Sequence, residues 1–416
     1  MTEGPQRTRF RRRRDYLAAV LVVVVVAATW IFVWQTSDAH NTTSRTANVA
    51  ATIPDTPDGP PPSLAQVWQQ PSTATDTPLS VGANVVTGSG GSVVGRDPFT
   101  GQQRWLYRRD LPLCTLGQQW GRVLAFYRKN GWCGEITSLY PDTGQRGAQR
   151  NGDTELGTRM IGDGSYVTTT GRSTLDTFDA SLVRKVIYGN QPDPKNSGRQ
   201  PRTGCHYGSA AAASGQLGVV ERCGALSSQP DGGADRFTVY SAVSKGKDMD
   251  EPDVGSSVRL PGSGARVVAM NDRFAAVALP NPARLLVIDK SDGAIKAQYS
   301  IPVPDAKLGW NVPGGVVPVS EGPNSVYWYT GSGVIALSSA DFRPQWTLNG
   351  ALGPGTQFVG RTLIPVPSGI EVLDADSGRK LGVYPLDRHG YRGEVSMSTL
   401  GPMVFEQRGG TLVALR

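Results

Sequence analysis

The sequence predicts an all-β fold, an eight-bladed β-propeller preceded by one transmembrane helix. Three observations carry that expectation: a turn-rich segment that recurs down the chain, a composition suited to short strands, and one long apolar run near the N-terminus. Recurrence at about 40–45 residues is the signature of four-stranded propeller blades. The 51 glycines and 30 prolines, with only 19% charged residues, favour many short strands and tight turns over helices. At 416 residues the chain exceeds an ordinary domain, but a propeller closes as one unit of that size.

Residues 1–15 carry Arg7, Arg9, Arg11, Arg12, Arg13 and Arg14 against Glu3 and Asp15. This tail therefore holds +4 of the net +7, and the rest of the chain only +3. Such clustering leaves the folded part little net charge and predicts no nucleic-acid partner; a DNA-binding arm is the rival reading of the tail itself. Arginines beside an apolar span stay on the cytoplasmic side of a membrane, which predicts a cytoplasmic N-terminus. Residues 16–34, from Tyr16 to Trp34, are free of charge and, as a helix, span about 28 Å, close to the hydrocarbon thickness of a bilayer. Trp30 and Trp34 fall at the outer end, where aromatic rings favour the headgroup region. A signal peptide cleaved after Ser37-Asp38-Ala39 is the rival, but its apolar core would exceed the usual length. The expected location is the cell membrane, single-pass, with everything after residue 35 extracytoplasmic. Residues 35–63 contain Pro54, Pro57, Pro60, Pro61 and Pro62 with little apolar bulk, the composition of a flexible, extended linker.

The folded part, residues 64–416, opens on its clearest repeat, Gly95-Arg96-Asp97-Pro98-Phe99-Thr100-Gly101-Gln102-Gln103-Arg104-Trp105. Asp97 and Thr100 suit a turn whose backbone they hydrogen-bond, and Gly101 suits a positive φ. Weaker copies follow, such as Pro141-Asp142-Thr143-Gly144, Asp289 leading to Asp292-Gly293, and Asp374 leading to Ser377-Gly378. Residues 336–346 keep Trp346 but lose the Asp and Gly. Positions 97, 140, 179, 241, 289, 338, 374 and 416 take the Asp place, which makes eight copies and eight blades of about 44 residues. The eighth copy stops halfway, at Arg416. Its missing strand is expected from Leu64-Ala65-Gln66-Val67-Trp68, which would close the ring and remove the open edges of a half-blade.

The segment 95–105 resembles the tryptophan-docking motif of quinoprotein-type (PQQ-like) propellers, A-x-D-x-x-T-G-x-x-x-W, with Gly95 in place of Ala. The resemblance implies that Asp97, Thr100 and Gly101 build the turn between the third and fourth strands, and that Trp105, Trp346 and Trp68 pack between blades. It also raises a pyrroloquinoline quinone-dependent dehydrogenase, an activity that in this family rests on a vicinal Cys-Cys disulfide, a bound calcium and an Asp base. No two cysteines are adjacent here and there is no C-x-x-C-H haem site, so no cofactor is expected. The arrangement also resembles the propeller subunit of outer-membrane assembly machinery, and actinobacterial membrane proteins that carry such a repeat. The first of these resemblances implies a protein-interaction module or scaffold, and the expected role is envelope assembly, division or maintenance, with an envelope protein as partner.

Cys114 and Cys133, and Cys205 and Cys223, form two similarly spaced pairs, each beginning Cys-x-x-Gly, and are expected as two local disulfides in an oxidising compartment. Zinc is the alternative, but no C-x-x-C knuckle occurs and the only histidines are His40, His206 and His389. Ser-His-Asp chemistry would have to use His206 or His389, and without a G-x-S-x-G elbow no catalytic residue is assigned. Residues 189–204, 226–235 and 245–256 are the largest insertions and the expected recognition surface. A carbohydrate or peptidoglycan ligand is the third reading, with Trp120, Trp132, Trp310, Trp328 and Trp346 as stacking platforms.

Overall fold

Each short apolar run folds as a strand because its side chains alternate between neighbouring blades, and each run ends where Gly, Asp or Asn permits a turn. In the computed structural model, residues 13–37, 39–190, 198–225, 231–244, 246, 248–308 and 312–416 are described. Eight antiparallel sheets follow one another in chain order, spanning residues 79–109, 113–150, 160–189, 205–259, 266–300, 319–349, 356–385 and 395–415, here blades 1 to 8. At six of the eight seams the first strands of adjacent blades pack against one another, and the first strands together line a central channel. The eight positions taken for the Asp place fall where the third strands end, from Arg96 in blade 1 to Leu415 in blade 8.

Blade 8 takes its outermost strand from the other end of the fold. Gln66–Pro71 pairs antiparallel with Thr411–Leu415, and the backbones of Ala65 and Arg416 exchange two hydrogen bonds of 2.9 Å. The ring is closed without an open edge at either end. Side chains reinforce the seam, with Gln407 Nε2 donating to the Ser72 carbonyl at 2.8 Å.

Cys114–Cys133 and Cys205–Cys223 are disulfides. The second joins directly opposed residues of the first two strands of blade 4.

The N-terminal apolar segment is a helix, Arg13–Gln35, 23 residues long, and none of it is buried against the propeller. Its apolar side chains are exposed from Tyr16 to Trp34, and its length suffices to cross a bilayer.

The reading of residues 35–63 as a free linker needs correction. Thr42–Arg45 adds a fifth strand to blade 1, pairing with Leu106 to Arg109. Further along, Ala47 N donates to the Thr143 carbonyl of blade 2 at 2.9 Å, and Tyr384 Oη donates to the Pro61 carbonyl at 2.7 Å. Backbone hydrogen bonds at the outer edge of a blade need no apolar side chains, so a segment too polar to make a core still adheres as an added strand.

Candidate functional site

The turn chemistry comes first, because it fixes the ring that surrounds the channel. Asp97 Oδ1 accepts hydrogen bonds from the N–H groups of Phe99 (2.9 Å) and Thr100 (3.0 Å), and from the Thr100 hydroxyl (3.2 Å). Burial alone would raise the Asp97 carboxyl; Arg104, at 2.5 Å, and the two turn amides outweigh it and hold the pKa below the usual carboxylate range. Asp374 makes the same turn with Ser377.

Trp105 lies wholly buried with its Nε1 donating to the Pro141 carbonyl of blade 2 at 2.6 Å. Trp68 does the same one seam earlier, donating to the Pro98 carbonyl at 3.0 Å. The indoles lie so close to the next turn that a Cβ on Gly101 would come within 2.7 Å of Trp68, and one on Gly144 within 2.6 Å of Trp105. Both glycines also have positive φ, +70° and +73°, so space and backbone exclude other residues together. Asp97, Thr100, Gly101, Trp105 and Trp68 are thus placed at turns and seams, away from the channel. Trp346 faces Gly378 in the same way but is only half-buried, and its buried Nε1 has no partner.

The channel is interrupted by a segment that sequence reasoning did not single out. Between blades 5 and 6 the chain leaves the ring, and residues 301–308 and 312–318 bury Ile301, Val303, Leu308, Val312 and Val317 against both blades. Gly314 and Gly315 reach other parts of the ring: a Cβ on Gly314 would meet the Gly157 carbonyl of the blade 2–3 connection, and one on Gly315 the Gly208 carbonyl of blade 4. The signal was present as Pro302, Pro304 and Pro313-Gly314-Gly315, a break in strand pattern where the copy spacing is 49 residues.

Two cavities share this segment as a wall. The first, about 540 Å³, is lined by Thr115, Met160, Val317, Ser396, Asp76 and Glu394 among others. Arg159 Nη2 donates to Asp76 Oδ1 at 3.0 Å across it. Glu394 reaches solvent at its mouth, yet the enclosing protein, helped by the Asp76 charge, pushes its carboxyl up to about 7. A raised carboxyl pKa means that stability is full below the unfolded value and is lost as pH rises through the folded value. Glu394→Gln should therefore match the parent at pH 4, gain on it between about pH 4.5 and 7, and hold a constant advantage above, as read by thermal unfolding at several pH values. The second cavity, about 580 Å³, lies among blades 3, 4 and 5 and gathers Arg172, Arg222, Arg266, His206 and Glu155.

The three insertions expected to form a recognition surface divide on inspection. Residues 191–197, 226–230, 245 and 247 lie outside the described residues. The remainder is partly a brace. Arg202 is buried in blade 4, with Nε 2.7 Å from Glu221 Oε2 and Nη2 2.7 Å from the Thr238 hydroxyl. Gln200 Nε2 donates to the carbonyls of Ile187 (2.9 Å) and Asp250 (3.2 Å), tying two insertions to the outer strand of blade 3. Trp328, offered as a stacking platform, is 2% exposed, and Trp120 donates to the Ser165 carbonyl while packing on the blade 2 core. Trp132 is half-buried, and Trp310 lies outside the described residues. His389 is exposed on a loop beside Asp387, whereas His206 faces the second cavity.

The molecule is thus an eight-bladed β-propeller with two cavities beside the segment that crosses its channel. Among solved structures it is similar to BamB from Moraxella catarrhalis, with 15% identity, a TM-score of 0.50, and coverage of 85% of this chain and 99% of that one. It is similar also to quinohemoprotein alcohol dehydrogenases from Comamonas testosteroni (12% identity, TM-score 0.51, 89% and 78% coverage) and Pseudomonas putida HK5 (13%, 0.52, 88% and 78%). No protein-family model matches the sequence, and no curated protein matches it. At these identities the likeness is one of fold.

A quinone of the kind that the propeller resemblance implies would need the vicinal disulfide and a calcium site. Both disulfides here join residues 18 or 19 apart, and among the described residues no three His, Cys, Asp or Glu side chains gather to hold a metal. These residues do not fit that pair, and no step is derived through it.

Proposed function

We propose that this chain is a membrane-anchored, extracytoplasmic propeller that acts as a protein-interaction module in cell-envelope assembly, division or maintenance. The observation that carries the reading is the junction of helix and ring. Only residues 36–41 separate the apolar helix from the strand Thr42–Arg45 stitched to blade 1, so the anchor holds the ring close to the membrane. Two disulfides suit an oxidising compartment, and the arginine-rich tail suits a cytoplasmic N-terminus. The likeness to BamB supports a ring whose faces receive proteins. Crosslinking in intact cells, followed by identification of the captured molecules, tests this. A reproducible envelope protein, lost when the helix is replaced by a cleavable signal peptide, is the expected result. Capture of glycans or lipids alone would refute it.

A further inference from the structure

The second cavity has an electrostatic composition that the fold does not need. Arg266 opens the innermost strand of blade 5, and Arg222 Nη2 donates to the carbonyl of its neighbour Ala265 at 3.3 Å. Arg222 and His206 are directly opposed across the first two strands of blade 4, and Arg172 comes from blade 3. Arginines from three blades therefore line one cavity.

Their counter-charges are already committed or weak. The one carboxylate on the cavity wall, Glu155, accepts hydrogen bonds from the amides of Arg172 (3.0 Å) and Ser173 (2.8 Å) and from the Ser173 hydroxyl (2.9 Å). Asp235 lies behind Arg222 at 3.4 Å and accepts the Ala265 amide at 2.8 Å. The Arg266 and Arg172 side chains have no acidic or hydrogen-bonding partner among the described residues. Burial, with the Arg222 charge added, pushes the Arg266 guanidinium down to about 10, the mark of a cation held without compensation. Folding alone would select against such a group. A ligand that supplies the missing negative charge removes the penalty.

We propose that this cavity is a binding site for a phosphoryl group carried on a small organic molecule, with Arg266, Arg222 and Arg172 as its donors. Guanidinium forks match phosphate oxygens two at a time, and three of them suit a dianion better than a single carboxylate. At about 580 Å³ the cavity is of the size of small-molecule sites and leaves room for the group that bears the phosphate. Gly208, Gly264 and Gly315 line it, so backbone amides approach without side chains in the way.

The test uses the full-length protein in detergent at constant ionic strength, titrated with inorganic phosphate and separately with glycerol 3-phosphate. Both should raise the thermal unfolding temperature in a saturable manner, and glycerol 3-phosphate should bind more tightly if the organic part is also held. Arg266→Ala should bind about tenfold more weakly or worse, and Arg266→Lys should fall between, having the charge without the fork. Without ligand, Arg266→Ala should unfold at the same temperature as the parent or higher, since it removes an uncompensated cation. No saturable shift in the parent, an equal shift in Arg266→Ala, or a lower starting temperature for that variant would each overturn the assignment.

Discussion

Replacing Glu406 with alanine should destabilise the propeller by about 3–5 kcal/mol, the cost of leaving buried charges without their partner. Glu406 is fully buried in blade 8. Its Oε1 lies 2.6 Å from Arg388 Nη2, and its Oε2 lies 3.0 Å from Arg388 Nε and 2.7 Å from Arg408 Nε. Arg388 also donates to the carbonyls of Val366 (2.6 Å) and Gly369 (2.9 Å), so the cluster fastens blade 7 to blade 8 beside the closing seam. Removing the carboxylate strands two guanidinium groups in the interior. Glu406→Gln keeps an acceptor for one of them and should cost less than the alanine change. Urea unfolding near neutral pH reads the difference; a loss under about 1 kcal/mol for Glu406→Ala would show that water or other groups already compensate the arginines.

That cluster also marks the limit of what the sequence reveals. Arg388 stands beside His389 and Gly390 in a polar stretch that reads as surface, and His389 is indeed exposed while Arg388 is buried. A period-2 apolar pattern reports which strands exist, but not which polar side chain turns inward to meet a charge two strands away. The eight third-strand ends were legible because they depend on local turn chemistry, even where the Asp itself is lost, as at Ser241 and Ser338. The closing strand was legible because the last copy breaks off at Arg416 and Trp68 carries the missing half.

Three features were not legible. The strand Thr42–Arg45 is held by backbone pairing, which leaves no side-chain pattern. Arg172, Arg222 and Arg266 come together only because blades 3, 4 and 5 bring distant strands to one cavity. The insertions 189–204 and 245–256 look like free polar loops, yet Gln200 and Arg202 anchor the first of them and Asp250 the second. Excising residues 190–200 would therefore remove a brace along with any recognition surface, and a loss of binding after that deletion would not identify a contact.

Trp105→Ala should destabilise the ring by about 3–5 kcal/mol, and Trp346→Ala by distinctly less, although both occupy the same place in their blades. Trp105 is 0% exposed, packs beside Val86, Leu116 and Leu139, and donates its Nε1 to the Pro141 carbonyl, which also accepts from Asn84 Nδ2 at 2.9 Å. Its truncation leaves a cavity at the blade 1–2 seam and a carbonyl with one donor fewer. Trp346 is half-buried, rests against Tyr327 with ring centroids 5.6 Å apart, and makes no hydrogen bond through Nε1, so it loses less area and no donor–acceptor pair. Trp105→Phe separates the terms: it keeps most of the packing and loses the hydrogen bond, so it should cost about 1–3 kcal/mol. Gly144→Ala probes the same seam from the other blade, since the new methyl must displace the indole in a backbone region that already disfavours alanine. Chemical denaturation of the four variants should rank them Trp105→Ala as the worst and Trp346→Ala or Trp105→Phe as the mildest. Equal losses at Trp105 and Trp346 would show that the contribution of the indole does not depend on how far it is enclosed. The predicted inequality instead ties seam strength to how completely each indole is enclosed, so that blades 1 and 2 should separate after blades 6 and 7.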